Sequence, residues 1–205
     1  MRTAENHSAT EDNLAEEERL RMNTYSLLAR LLHATPDAAL LGCLGQIAAV
    51  PAAANPLERS WQRLKSAAEL AQASGLGELD DEFHVLFIGV GRGEVMPYGS
   101  WYQTGYLMDR PLARLRGDLR RLGIERQADV REPEDHAAAL CESMALLIQS
   151  ATPVALQQQF YKAHLGSWLQ RFFLDLDTAP SARFYKAVGQ LGAAFMSLER
   201  RYLST

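Results

Sequence analysis

Ser100, Asp135 and His136 supply the residue types of an acyl-transfer triad, and Gly89, Gly91 and Gly93 supply the alternate glycines of a phosphate loop. Neither set has the context its chemistry needs. Ser100 stands in Tyr98-Gly99-Ser100-Trp101-Tyr102, which is not the Gly-x-Ser-x-Gly elbow that exposes a nucleophile. Adjacent Asp135 and His136 would point about 100° apart on a helix, so the acid could not orient the imidazole. The glycine loop continues Glu94-Val95-Met96 where a P-loop needs Lys followed by Ser or Thr, and Glu94 takes the third-glycine place of a dinucleotide fingerprint. His33, His84, His136 and His164 have no second histidine or cysteine at helical spacing, and Cys43 and Cys141 form no CxxC pair. No catalytic residue and no metal set is assigned, and the chain is read as non-enzymatic.

The chemistry these stretches favour instead is recognition. Met96, Tyr98, Trp101 and Tyr102 fall within seven residues, more apolar and aromatic surface than a connection needs. It is covered either by the protein's own core or by a partner's apolar segment lying in a groove. Further on, Glu132, Glu134 and Asp135 precede His136, and Asp81 and Glu82 precede the first motif. Acids in the first turn of a helix starting near Pro133 would suit its dipole. The same acids beside an aromatic wall would suit a cationic partner.

The elements that must position these residues read as helices. Ser8 with Glu11 forms a capping-box pattern ahead of Leu20, Leu27, Leu28, Leu31 and Leu32. Thr35-Pro36 and Asn55-Pro56 each read as a cap followed by a first-turn proline, and Gly75 and Gly77 end the second of these helices. Leu79, Phe83, Leu86, Phe87 and Val90 recur at helical spacing, so Phe83 to Ile88 reads as the last turns of a buried helix. Ser100 reads as a helix N-cap. Pro111 opens a helix carrying Leu112, Leu115, Leu119 and Leu122, with Gly123 as its stop. Past the unpatterned stretch 124–132, one helix begins near Pro133, another carries Phe160, His164, Leu165, Trp168 and Phe172, and a third runs from Phe184 to Tyr202. The expected fold is all-α, about eight to ten helices in two packed halves, 1–123 and 133–205, joined by a hinge at 124–132.

With 205 residues, 47% of them hydrophobic, the chain can bury a sizeable core. There is neither a signal-peptide pattern nor a membrane-span run, and the two cysteines fit a reducing compartment, so the expected location is cytoplasmic. A net charge of −4 argues against nucleic acid as partner and permits a cationic one.

Glu82, Leu86-Phe87, Gly89, Gly91, Gly93, Pro97, Ser100, Gly105 and Met108, followed by Glu132-Pro133-x-Asp135-His136, together resemble the signature of the TorD/DmsD family of redox-enzyme maturation chaperones. The resemblance implies an all-helical cytoplasmic chaperone. It would bind the twin-arginine signal peptide, the body, or both, of an immature molybdenum-cofactor oxidoreductase of the DMSO/TMAO reductase type, and hold it for cofactor insertion before export. It also implies peptide-binding roles for Glu82, Phe87, Pro97, Tyr98, Ser100, Trp101, Glu132, Asp135 and His136, with Gly89, Gly91 and Gly93 shaping the loop. One departure is Gly99, at a position often acidic in the family. No cofactor of its own is implied, although weak contact with GTP or molybdenum cofactor is compatible with it. Nor is stable membrane insertion, and the chain would be a monomer or a domain-swapped dimer. The alternatives are an assembly factor of the NarJ branch for a nitrate-reductase-type subunit and, with less support, a GTP-binding protein.

Overall fold

Where local signals are strong, helices start and stop on them. The Asn55 side chain accepts the Glu58 amide at 2.9 Å with Pro56 in the first turn, and Gly75, at φ 102°, ends that helix. The computed structural model describes residues 15–48, 55–127 and 130–204. The Ser8–Glu11 cap and residues 128 and 129 of the 124–132 segment lie outside them. The helices are α1 Glu16–His33, α2 Ala38–Gly45, α3 Pro56–Ser74, α4 Leu76–Phe83, α5 Gly99–Thr104, α6 Arg110–Arg121, α7 Ala137–Gln149, α8 Val154–His164, α9 Leu169–Thr178 and α10 Phe184–Tyr202. A π-helical turn, His84–Ile88, follows α4. The fold is all-α, and among the described residues the β pairing is an isolated bridge between Tyr98 and His136.

One core serves all of it. Helix α1 packs along α7, α9 along α10, and α10 also against α3, which in turn carries α2. The segment before 124–132 is thereby joined to the segment after it through the α1–α7 contact. Tyr25, Leu28 and Leu31 of α1 meet Cys141, Met144 and Ile148 of α7 in the same cluster as Phe172, Phe173, Val188 and Phe195. A buried ionic tie crosses this core: Arg21 of α1 donates to both Glu199 carboxylate oxygens, at 2.6 and 2.9 Å, and to Gln157, while the Tyr25 hydroxyl donates to Glu199. With every strong donor and acceptor partnered, the buried charges are tolerated; removing one partner alone would leave an uncompensated ion.

Several local expectations are corrected. Thr35 is not the cap of α2. Asp37 accepts the Leu40 amide at 2.7 Å, and Thr35 instead donates to Asp80 on α4. The helical stripe ends at Leu86: the π turn shifts the phase so that Phe87 is half-buried, and Val90, past the break at Gly89 (φ 60°), lies in the loop and is fully exposed. Leu20 likewise points to solvent at the start of α1. Helix α6 begins one residue earlier than Pro111, capped by Asp109. The helix expected over Phe160 to Phe172 is two, α8 and α9. Between them the Trp168 indole N–H caps the His164 carbonyl at 2.7 Å, and the Gly166 amide bonds back to Tyr161.

Candidate functional site

The glycine loop follows from the π turn. Gly89 donates to His84 at 2.7 Å, and the chain then doubles back so that the Glu94 and Val95 amides reach the Val85 and Leu86 carbonyls. Two positions require glycine. Gly89 sits at φ 60°, where a Cβ would lie 2.1 Å from the Arg92 carbonyl oxygen, and a Cβ on Gly93 would lie 2.5 Å from that of Leu86. The returning strand of loop delivers Pro97 to Ser100 against Asp135 to Ala137, with Gly99 donating to the Asp135 carbonyl at 2.9 Å and Ala137 to the Pro97 carbonyl at 2.7 Å. Two motifs 35 residues apart thus share one ladder.

This bridge overturns two expectations. The second motif is not the first turn of a helix: α7 begins only at Ala137, and Glu132 to Asp135 lie ahead of it, because the Asp135 carbonyl and the Ala137 amide are committed to Gly99 and Pro97. Ser100 is not the N-cap of α5. Tyr98 holds that position, and the missing cap comes from Asp135, whose Oδ2 accepts the Ser100 amide at 2.8 Å. The Ser100 hydroxyl works at the far end, accepting the Met108 amide at 3.2 Å. Gly99 packs closely on Trp168: a Cβ there would meet the indole ring at 3.1 Å, so a larger residue at this position requires the ring to give by a few tenths of an ångström.

Around the bridge, the Tyr98 hydroxyl donates to Glu132 at 2.6 Å, and its ring meets His136 edge-on at 5.1 Å. Burial, reinforced by the hydrogen bond to the Glu132 carboxylate and by its charge, pushes the Tyr98 hydroxyl well above the usual phenol range. His136 accepts the Ala138 amide through Nδ1 at 3.1 Å, capping α7 as a neutral imidazole. Burial lowers its pKa to about 4, against the nearby Glu132 and Asp135 carboxylates that favour the cation. Trp101 is half-buried and carries the Arg92 guanidinium over its ring at 4.6 Å. Tyr102 stacks on Trp168 and donates to Asp175 at 2.9 Å, so it belongs to the frame.

The structure therefore brings together Pro97, Tyr98, Ser100, Glu132, Asp135 and His136, with Trp101 on the adjoining α5. Among these, Pro97, Ser100 and Asp135 are buried, Tyr98, Trp101 and His136 half-exposed and Glu132 exposed. Glu82 and Phe87 are placed elsewhere, against the start of α10. The Glu82 carboxylate accepts the Arg183, Phe184 and Tyr185 amides at 2.8, 3.2 and 2.8 Å, and Phe87 packs on Phe83 and Tyr185. A cleft of about 410 Å³ between α3 and α10, lined by Arg63, Leu70 and Lys186 among others, shares no residue with the bridge. Sequence reasoning did not single out Arg92 or the exposed Ile88, Tyr106 and Leu107, and it read the exposed Val90 as part of a buried stripe. A usable signal was that apolar residues in a glycine loop have no periodic partners to bury them.

The family described as nitrate reductase delta subunit matches residues 50–174, a stretch that holds both motifs. The chain belongs to this family. Among relatives, chaperone protein TorD of Vibrio atlanticus (strain LGP32) is 29% identical over 139 residues, 62% of this chain and 65% of that protein. TorD of Vibrio cholerae serotype O1 (El Tor Inaba) is 31% identical over 137 residues, 62% of each chain. The match thus spans slightly under two thirds of these curated relatives, and it bears out the TorD/DmsD resemblance of the motifs. A solved structure described as a redox enzyme maturation protein from Archaeoglobus fulgidus shares the fold, with a TM-score of 0.53 over 93% of this chain and 95% of that one, at 16% identity. Among the described residues, no helix is long and apolar enough to cross a membrane and no group of three potential ligands is placed to hold a metal.

Proposed function

We propose that this protein is a cytoplasmic, non-enzymatic chaperone of a molybdenum-cofactor oxidoreductase, binding its twin-arginine signal peptide, its body, or both, until cofactor is inserted. The observation that carries the reading is the surface side of the Tyr98–His136 bridge. There an exposed acid, Glu132, stands beside half-exposed Tyr98 and His136, and the adjoining Trp101 already holds one guanidinium, that of Arg92. A guanidinium pair followed by an apolar stretch needs this combination of acid and aromatic face. Ser100 and Asp135 act from beneath by fixing the bridge, and Glu82 acts by capping α10. The chain is a monomer or exchanges its second half about the 124–132 hinge.

The test is titration calorimetry of the full chain with a twin-arginine peptide and its twin-lysine counterpart. Lysine keeps the charge and loses the planar fork, so the second peptide should bind several-fold more weakly and Glu132→Gln should narrow the gap. Equal binding of both peptides overturns the arginine part of the reading. A NarJ-type role for a non-exported subunit is favoured by the description of the matching family; capture of a client that has no leader peptide would select it. The GTP reading has little in the loop to support it, because the Glu94 and Val95 amides are taken by Val85 and Leu86 rather than turned toward a phosphate.

A further inference from the structure

Helix α6 buries Pro111, Leu112, Leu115 and Leu119. At about 100° per residue, Arg110, Arg114, Arg116, Arg120 and Arg121 fall on the opposite arc, interrupted only by Ala113 and Gly117. All five arginines are exposed. Residues 110–126 contain six arginines and two acids, a net of +4 in a chain whose net charge is −4. Acids reach this face only at its margins, where Arg116 pairs with Glu134 and Arg121 with Asp118, which is also engaged by His164. Arg110 and Arg114 have no ion-pair partner among the described residues.

At the N-terminal end of this face stand Tyr106, Leu107 and Met108, 73%, 45% and 71% exposed. Three consecutive apolar side chains in water are unusual in a folded domain unless something covers them. Their backbone is held in place: Gly105, at φ 80°, ends α5, and Met108, at φ 57°, is anchored through its amide to Ser100. A cationic strip with an apolar, aromatic tip is the pairing that an anionic lipid surface recognises, charge for the headgroups and tip for the acyl boundary. The middle of the strip, Ala113 and Gly117, offers at most a methyl group to read the shape of a protein partner.

We propose that the arginine face of α6 and the 106–108 tip form a peripheral docking surface for an anionic phospholipid bilayer. It uses none of the residues proposed for client binding, and it requires adsorption, not insertion. The experiment is flotation of the full chain with phosphatidylcholine vesicles, with and without phosphatidylglycerol, at low and high salt. The expected result is flotation with anionic vesicles only, abolished by high salt. Affinity should fall about tenfold or more in Arg114→Gln with Arg120→Gln, and fall again with Leu107→Ser. These are exposed positions, and an unchanged circular dichroism spectrum will verify that the fold survives. Absent flotation, equal flotation with neutral vesicles, or unchanged affinity in the double arginine variant overturns the proposal. Retention on immobilised polyglutamate without flotation also overturns it, and assigns the face to an acidic protein instead.

Discussion

Asp135 accepts the Ser100 amide at 2.8 Å, so a carboxylate from the second motif caps a helix of the first. It is 3% exposed, and its other oxygen has no hydrogen-bond partner among the described residues. Replacing it by alanine leaves the Ser100 amide unpaired in a buried setting, which costs about 1–3 kcal/mol. Urea unfolding should show Asp135→Ala destabilised by that amount, with Asp135→Asn milder because its amide oxygen can still accept. An unchanged midpoint in the alanine variant would mean that the bridge is held by its backbone bonds alone.

Glu82 presents a sharper division between fold and recognition. Its carboxylate receives three consecutive amides at the start of α10, and charged acceptors of this kind contribute roughly 1.5–3 kcal/mol each when measured singly. Glu82→Ala should therefore lower the unfolding free energy by about 2 kcal/mol or more while leaving peptide affinity of the folded fraction unchanged. Weakened affinity at full stability would return Glu82 to the binding surface.

These two acids show what a sequence can and cannot reveal. The Asn55 cap, the Gly75 stop and the α10 stripe from Phe184 to Phe195 rest on neighbours within a few residues, and periodicity exposes such relations directly. The partners of Asp135 and Glu82 lie 35 and about a hundred residues away, and no local pattern encodes them. The second motif thus looked like the acidic first turn of a helix, which its composition fits equally well. Only the bridge to Pro97 and Gly99 decides otherwise. The π turn was hidden for a related reason: its apolar residues keep helical spacing, and the widening of the turn that ends the stripe at Leu86 leaves no mark in composition.

His136 makes stability depend on pH. Its folded pKa, about 4, lies below the ordinary value near 6.5. The unfolded chain therefore binds the proton first. The stabilisation is fully present above about pH 6.5 and is lost as pH falls toward the folded value. Between pH 7.5 and 5 this amounts to about 2 kcal/mol. His136→Asn keeps a capping oxygen for the Ala138 amide and removes the titration. Urea midpoints at the two pH values should fall less for the variant than for the wild type; identical slopes would place the pH sensitivity at other groups.

Arg92 and Trp101 give the most direct test of the proposed surface. The guanidinium lies 4.6 Å above the indole, in the position a client arginine would take if Trp101 recognises one. The two must then compete. An exposed cation–π contact is worth about 0.5–1 kcal/mol, so Arg92→Ala should raise affinity for a twin-arginine peptide by a few-fold. Trp101→Ala should lower it by about 2 kcal/mol, as loss of a central aromatic does. In the double variant the gain from Arg92→Ala should vanish, because the face for which the arginines compete is gone. If Arg92→Ala instead weakens binding, and does so even without Trp101, the arginine serves to hold the glycine loop in its folded-back path and the client reads the loop rather than the indole. Affinities for the four proteins, measured by titration calorimetry with one peptide, separate the two mechanisms.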